Sequence, residues 1–241
     1  MLKYILSIER ALNMTKKSGE NKHMIKAIFL DYTGTMVKED EPYTRELLKY
    51  FLTHSNFKNP TEVLGVVWGK IKEYEAKSVG DNFIKNHEKV SRILEYCREK
   101  YGLQGNFEYI HETWQKVWIY APLYEDVKPF FERSKLPIYV LSNDDTCFLE
   151  ESMKIKDLHP AGIVSAEIAH ACKPNRLIFE KAFEMAGVRP EEVMLIGDSV
   201  KSDIDPAMNL GIIPVLIVRN ANEDPLPVID GVKVIRTLDE L

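Results

Sequence analysis

Cysteine is scarce in this sequence of 241 residues: Cys97, Cys147 and Cys172 are the only three, widely separated and odd in number. They offer neither a disulfide framework nor a metal-ligand spacing, so a reducing, cytoplasmic setting is expected, and Cys147 and Cys172 read as small packing residues. The six histidines are equally scattered. An excess of positive charge is missing too. The formal net charge is −5, with Lys and Arg interspersed among Asp and Glu, which excludes a basic stripe for a nucleic-acid backbone. No apolar run is long enough to span a membrane. The stretch Met1 to Met14 carries Leu2, Ile5, Leu6, Ile8 and Leu12 at helical spacing, but Lys3, Glu9 and Arg10 interrupt it and no small-residue cleavage site accompanies it. Residues 1–23 therefore read as an amphipathic extension or as the product of an upstream start codon, with Met24 the alternative start. What is present, 45% hydrophobic and 29% charged residues, suffices for one good core plus a smaller inserted one.

The apolar pattern changes period along the chain. Ile25 to Leu30 reads as a buried strand, after which helical spacing holds for roughly a hundred residues. Leu47, Leu48, Phe51 and Leu52 share one face, and a second helix opens after Pro60 with Thr61 in capping position. Val90, Ile93, Leu94 and Cys97 share a third face, and Tyr109, Ile110, Trp114 and Val117 a fourth. Beyond Ala121-Pro122 comes a short helix through Phe130 and Phe131, and then strand and helix alternate. Strands are expected at 138–141, 162–164, 193–196, 213–218 and 232–235, with a helix from Pro174 to Gly187 and another carrying Ile204, Ala207 and Met208. Such alternation predicts parallel strands with crossover helices, all feeding one edge of one sheet.

Two strand ends carry the chemistry. Asp31-Tyr32-Thr33-Gly34-Thr35 follows the first strand, and Gly197-Asp198-Ser199 ends the strand that starts at Val193, with Asp203 five residues beyond Asp198. In a doubly wound sheet, ligands bind at the carboxyl ends of strands, and two carboxylates brought together there suit a hard, oxygen-seeking cation such as Mg²⁺. Taken singly, Asp31 and Asp198 would serve as helix N-caps, and Lys173-Pro174 as a helix start with Pro at its first position. Asp144 and Asp145 read as a solvated turn, Trp68, Trp114 and Trp118 as packing anchors of the helical stretch, and Lys70 and Lys72 as surface charges.

As an ordered set, Asp31-Tyr-Thr-Gly-Thr, Leu141-Ser142-Asn143, Lys173-Pro174 and Gly197-Asp198-Ser199 with Asp203 resemble the four motifs of the haloacid dehalogenase superfamily, most of whose members are Mg²⁺-dependent phosphatases. The resemblance covers residues from about 25 to 218. Ser142 lies 111 residues after Asp31, so the helical stretch is similar to the cap this family inserts after its first strand. The short interval from Ser142 to Lys173 leaves no room for the alternative cap position. The resemblance implies an α/β fold with a Rossmann-like doubly wound parallel sheet, the core formed by residues 24–38 and 122–241 and the helical cap by 39–121. It further implies that Asp31 is the nucleophile forming an aspartyl-phosphate and that Ser142 and Asn143 hold phosphate oxygens beside Thr33 and Gly34. Lys173 would neutralise Asp31 and the transferring group. Mg²⁺ would be bound by Asp31, Asp198 and the Thr33 main-chain carbonyl, and Asp203 would orient Lys173 or a metal-bound water.

Phosphoryl transfer asks for these residue types on its own account. Charge gathers on the equatorial phosphoryl oxygens, so catalysis is mostly positioning plus cationic stabilisation, and a carboxylate nucleophile needs a cation to approach a phosphate dianion. Thr33 departs from the phosphatase pattern, which has a second Asp there acting as acid and then base. Threonine can do neither at neutral pH. The reading is therefore a Mg²⁺-dependent hydrolase of a small phosphorylated metabolite, favouring leaving groups that depart without a proton, such as an acyl phosphate or phosphoanhydride. It would act as a monomer or homodimer, with no nucleic-acid or membrane partner. The alternatives are phosphonate cleavage with Lys70 or Lys72 as Schiff-base lysine, a dehalogenase-like hydrolase, and a catalytically weak phosphate-binding regulator.

Overall fold

The first strand, β1 (Ala27–Leu30), is buried along its whole length, so it needs apolar partners on both faces. In this computed structural model, which describes residues 24–39, 42–220, 222 and 224–241, it lies at the centre of a parallel sheet. The proposed N-terminal extension, residues 1–23, lies outside the described residues. The other strands are β2 (Ile138–Ser142), β3 (Gly162–Ser165), β4 (Val193–Gly197), β5 (Ile213–Ile217) and β6 (Lys233–Ile235), in the order β3-β2-β1-β4-β5-β6. Every pairing is parallel. The sheet therefore grows outward from β1 in both directions and not from one edge as the alternation suggested. That reversal sets β1 beside β4 with Leu30 opposite Ile196, which brings Asp31 and Asp198 to adjoining strand ends.

Period-2 alternation divides β1 between two cores. Ile28 and Leu30 pack with Val127 and Phe130 of α5 (Val127–Arg133) and with Leu149 and Met153 of α6 (Thr146–Lys156). Ala27 and Phe29 pack with Ile178, Phe179 and Ala182 of α8 (Arg176–Ala186) and with Ala207 of α9 (Asp205–Leu210). Between β3 and α8 lies only the single turn α7 (Ala166–Ala169). Helices on both faces make the sheet doubly wound. At about 1.5–3 kcal/mol per large apolar side chain buried, these two clusters supply the main driving force for the core.

Between β1 and β2 the chain forms α1 (Pro42–Thr53), α2 (Pro60–Lys77), α3 (Asn86–Tyr101) and α4 (Phe107–Tyr120). Their own core includes Phe51, Val63, Ile93, Leu94, Ile110 and Trp114. The N-cap of α2 is Asn59, whose side chain accepts from the Glu62 N–H with Pro60 at the first position, not Thr61 as the capping pattern suggested. Likewise α8 starts at Arg176 behind an Asn175 cap, so Pro174 lies outside the helix and follows a cis peptide bond. Trp114 is buried and Trp118 stacks on Phe148 of α6 at 5.1 Å, whereas Trp68 is 43% exposed and does not anchor packing. Cys172 is buried but Cys147 is exposed, so only the former is a packing thiol.

The helical segment docks on the sheet through a helix end. Lys85, at the N-cap of α3, provides no side-chain cap. The Asn86 N–H instead donates to both Asp145 carboxylate oxygens, at 3.1 and 3.0 Å, which supplies the missing acceptor from the other side of the interface. Beside it, Lys85 pairs with Glu167, and the Gly80 N–H donates to the His170 carbonyl at 2.8 Å.

A second buried pair fixes the loop after β1. Arg219 lies 2.6 Å from Asp126 and donates to the Thr35 carbonyl at 2.7 Å, while Asp126 also accepts from Thr237 Oγ1 and the Leu238 N–H. Burial would raise the Asp126 pKa, but Arg219, the Leu238 N–H and Thr237 more than reverse this and hold it below the usual carboxylate value. Asp126→Ala leaves the guanidinium buried without its counter-ion and should lower the unfolding free energy by about 3–5 kcal/mol in urea titrations. A loss under about 1 kcal/mol would show that the pair contributes no more than a surface salt bridge.

Candidate active site

Asp31 leaves β1 with its N–H donating to the Ile196 carbonyl at 2.9 Å, which fixes its backbone against β4. Its carboxylate meets Lys173, whose Nζ is 2.5 Å from Asp31 Oδ1 and 2.6 Å from Asp203 Oδ1. Lys173 and Asp203 are 5% and 1% exposed, so this cation is fully committed between two acids. Burial alone would lower the Lys173 pKa, but the Asp203 and Asp31 carboxylates outweigh it and hold it above the ordinary lysine value. The lysine is protonated across the physiological range and acts as a fixed charge, not as a base.

The loops that present these groups are held by specific contacts. The Asn143 side chain pairs with the Lys173 main chain, its Oδ1 accepting from Lys173 N at 2.6 Å and its Nδ2 donating to Lys173 O at 3.3 Å. Asn143 thus clamps the lysine loop to the end of β2 and keeps one N–H to offer a ligand. Asp203 Oδ2 accepts from the Ser199 N–H at 3.2 Å. The close approach depends on two glycines, since a Cβ on Gly197 would strike the Asp203 carboxyl and one on Gly34 would strike that of Asp198. Gly34 also has φ +79°, a left-handed conformation that a side chain resists.

Asp31, Asp198 and Asp203 offer carboxylate oxygens that all lie within 4.8 Å of one another. Against them stands Lys173 alone, so the cluster carries an uncompensated negative charge, and Asp198 faces the open side. Burial first, and then the Asp31 and Asp203 charges, raise the Asp198 pKa above the ordinary carboxylate value. Asp203 is raised as well, by burial, though Lys173 opposes the shift. Hard oxygen donors with a deficit of positive charge fit a divalent cation such as Mg²⁺, held by Asp31 and Asp198 with Asp203 occupied by Lys173.

Asp144 overturns the reading of a solvated turn. It is 8% exposed and Asp145 is 4% exposed, because α3 covers both. Ser142 Oγ donates to Asp144 Oδ2 at 2.8 Å, Thr33 Oγ1 lies 3.5 Å from the same oxygen, and Asn86 Nδ2 donates to Oδ1 at 3.3 Å. Burial pushes the Asp144 pKa up to about 6 against the Ser142 hydrogen bond, helped by the charges of Glu75 and Asp31. A carboxyl group that gains a proton near pH 6 thus stands beside the threonine that replaces the expected acid. The sequence carried a faint signal: residues 142 and 144 are two apart at a strand end and fall on one face.

A cavity of about 620 Å³ joins the site to the helical segment, and Asp31, Thr33, Ser142, Lys173 and Asp198 all line it. Lys72 and Lys89, from the helical segment, line it as well. The two lysines singled out from sequence are both paired, Lys70 with Glu73 at 2.8 Å and Lys72 with Glu75 at 3.1 Å. Lys89 was missed, although a lysine four residues before Ile93 on the apolar stripe of α3 is the kind of interruption that periodicity can reveal.

With this geometry in hand, comparison with known proteins decides the family. A model of haloacid dehalogenase-like hydrolases matches residues 25–211. The chain belongs to this family. A glyceraldehyde 3-phosphate phosphatase of Methanocaldococcus jannaschii is 25% identical over 212 residues, 83% of this chain and 88% of the relative. Among solved structures, the Bacillus subtilis HAD-hydrolase YfnB bound to magnesium aligns with TM-score 0.70 at 15% identity, over 90% of this chain and 96% of that one. The L-2-haloacid dehalogenase of Xanthobacter autotrophicus aligns with TM-score 0.66 at 16% identity, over 83% and 80%. The chain is thus a haloacid dehalogenase-like hydrolase, and among its described residues no helix is long and apolar enough to cross a membrane.

The raised carboxylates set the pH dependence of metal binding. A raised folded pKa means the metal-free folded chain holds more protons than the unfolded one above the ordinary value of 3.8, so its stability falls as pH rises through that window. A cation must displace the proton on Asp198, so Mg²⁺ should raise the melting temperature more at about pH 8 than at about pH 6. Asp198→Asn should remove most of this increment. A Mg²⁺ effect that is flat with pH, or unchanged in the variant, would refute the metal assignment.

Proposed function

We propose that this hydrolase is a Mg²⁺-dependent phosphatase of small phosphorylated metabolites that works through an aspartyl-phosphate on Asp31. The observation that carries the reading is the Asp31 carboxylate, on the floor of the cavity, fixed by Lys173 beside a second carboxylate that lacks a counter-charge. An Asp31 oxygen forms a bond to phosphorus as the bond to the leaving oxygen breaks, and water then attacks the phosphorus of the acyl phosphate to release phosphate and free Asp31. Lys173 offsets the charge of the transferring group, while Ser142 and the remaining Asn143 N–H offer hydrogen bonds to its oxygens. Bound Mg²⁺ would supply the charge that lets a carboxylate approach a phosphate dianion. The helical segment, residues 39–121, is taken as the cap that closes this site and selects the substrate.

Thr33 supplies no acid, which favours leaving groups that depart as stable anions. One observation favours a second reading of that step: Asp144, protonated below about pH 6, lies next to Thr33 and could deliver the proton from a neighbouring position. A substrate like that of the M. jannaschii relative, a triose phosphate, is an alkyl ester with a poor leaving group and would need such a donor. Phosphonate cleavage through Lys70 or Lys72 loses support from their ion pairs with Glu73 and Glu75. Release of halide from a short 2-haloacid would revive the dehalogenase-like alternative.

Phosphate release from an aryl phosphate with Mg²⁺ should vanish in Asp31→Asn, fall about 10²-fold or more in Lys173→Ala, and stop with excess chelator. A beryllium fluoride adduct should be found on Asp31. Failure of the wild type to turn over any of a panel of phosphorylated metabolites would leave the regulator reading in its place.

The leaving-group question has its own test. If Thr33 leaves the site without an acid, Thr33→Asp should raise alkyl phosphate hydrolysis, by at most the ~10²–10⁴-fold of a well-placed acid, and change aryl phosphate cleavage little. If Asp144 already gives the proton, Asp144→Asn should lower the alkyl rate selectively and Thr33→Asp should add nothing.

A further inference from the structure

Lys89 is a buried lysine that forms no direct ion pair, although the buried Asp144 and Asp145 feel its charge. It is 2% exposed, and among the described residues no carboxylate oxygen lies within 4.0 Å of its Nζ. Its hydrogen-bond partners are the Asn86 Oδ1 at 3.1 Å and the Cys172 Sγ at 3.7 Å, a neutral amide and a thiol that burial keeps protonated. The Phe83 ring is 5.9 Å away. An ammonium has three donors, so these partners leave one unfilled. The acids around it are occupied elsewhere: Asp144 by Ser142 and Asn86, Asp145 by the Asn86 N–H, and Glu75 by Lys72. Removing a charge from water without pairing it costs several kcal/mol, and a helix on a cap has no structural need for it. Lys89 also lines the cavity that Asp31 and Lys173 line.

The geometry points to Lys89 as the residue that recognises a second anionic group on the substrate, a carboxylate carried by the same small molecule whose phosphate lies over Asp31. The inference rests on the phosphatase reading only for the phosphate end. Two lysines that line one cavity, one held by Asp31 and Asp203 and the other with a donor left open, match a ligand with two negative groups. A carbonyl or hydroxyl at the distal end would fill the free donor with a weaker bond than a carboxylate, so acids should be preferred over aldehydes and alcohols of the same length.

Binding of two isosteric, non-hydrolysable ligands tests this without any turnover: 3-phosphonopropionate and its neutral amide, titrated with Mg²⁺ by calorimetry into the full-length chain. Wild type should bind the acid about 10–100-fold more tightly than the amide, the range expected for one charge-assisted hydrogen bond in a buried site. Lys89→Gln should abolish the preference while keeping the affinity for the amide, and Lys89→Arg should retain part of it. If the wild type shows no preference or binds neither ligand, or if Lys89→Gln weakens both ligands equally, Lys89 serves only to seat the cap and the inference falls. Phosphate release from an aryl phosphate, measured alongside, reports separately on the phosphatase reading.

Discussion

The ion triad of Asp31, Lys173 and Asp203 is the constraint to which the rest of the core is fitted. It joins the ends of β1 and β4 and the loop before α8 through one buried ammonium. Such a group is tolerated only when its donors are met at close range, so each surrounding element is held to a narrow position. Asn143 grips the main chain of Lys173, Ser199 donates to Asp203, and glycines at 34 and 197 let the acids come close. The parallel sheet, with its reversal beside β1, is what lets residues 142 positions apart meet here.

Around the triad the distribution of charge is uneven in a way that suits its chemistry. On the side facing the sheet, Lys173 spans two acids and offsets one of their two charges. On the side facing the cavity, Asp198 has no ion-pair partner among the described residues, and burial together with the Asp31 and Asp203 charges raises its pKa. An imbalance of this kind weakens the bare fold, and binding sites commonly carry such local costs in exchange for affinity toward a ligand of opposite sign.

Much of this was legible in the sequence because it is local. Apolar runs that stop at Asp31 and at Gly197-Asp198 read directly as strand ends, whereas Lys173 and Asp203 were singled out by the resemblance of the ordered motifs to the family. The parts that were missed are those made by contacts distant in sequence. Nothing near Asp144 and Asp145 says that α3 will cover them, and the Asp126–Arg219 pair spans 93 residues. The direction in which the sheet grows was misread for the same reason, since strand order depends on which side of β1 the chain takes after β3, and periodicity does not encode that. Lys89 lies between these cases: its place on the apolar stripe was visible, but only the cavity beside it gives that place a meaning.

The seating of α3 has a consequence for traffic through the site. Its leading amide has no acceptor of its own and borrows the carboxylate of Asp145, just beyond β2 and next in the chain to the Asp144 that holds Ser142. Lifting the helices away from the sheet would therefore bare a helix terminus and two acids at once, and water would flood the same polar contacts that order the catalytic loop. The door and the lock would then share their fastenings: an opening that admits a substrate would also loosen the residues meant to act on it.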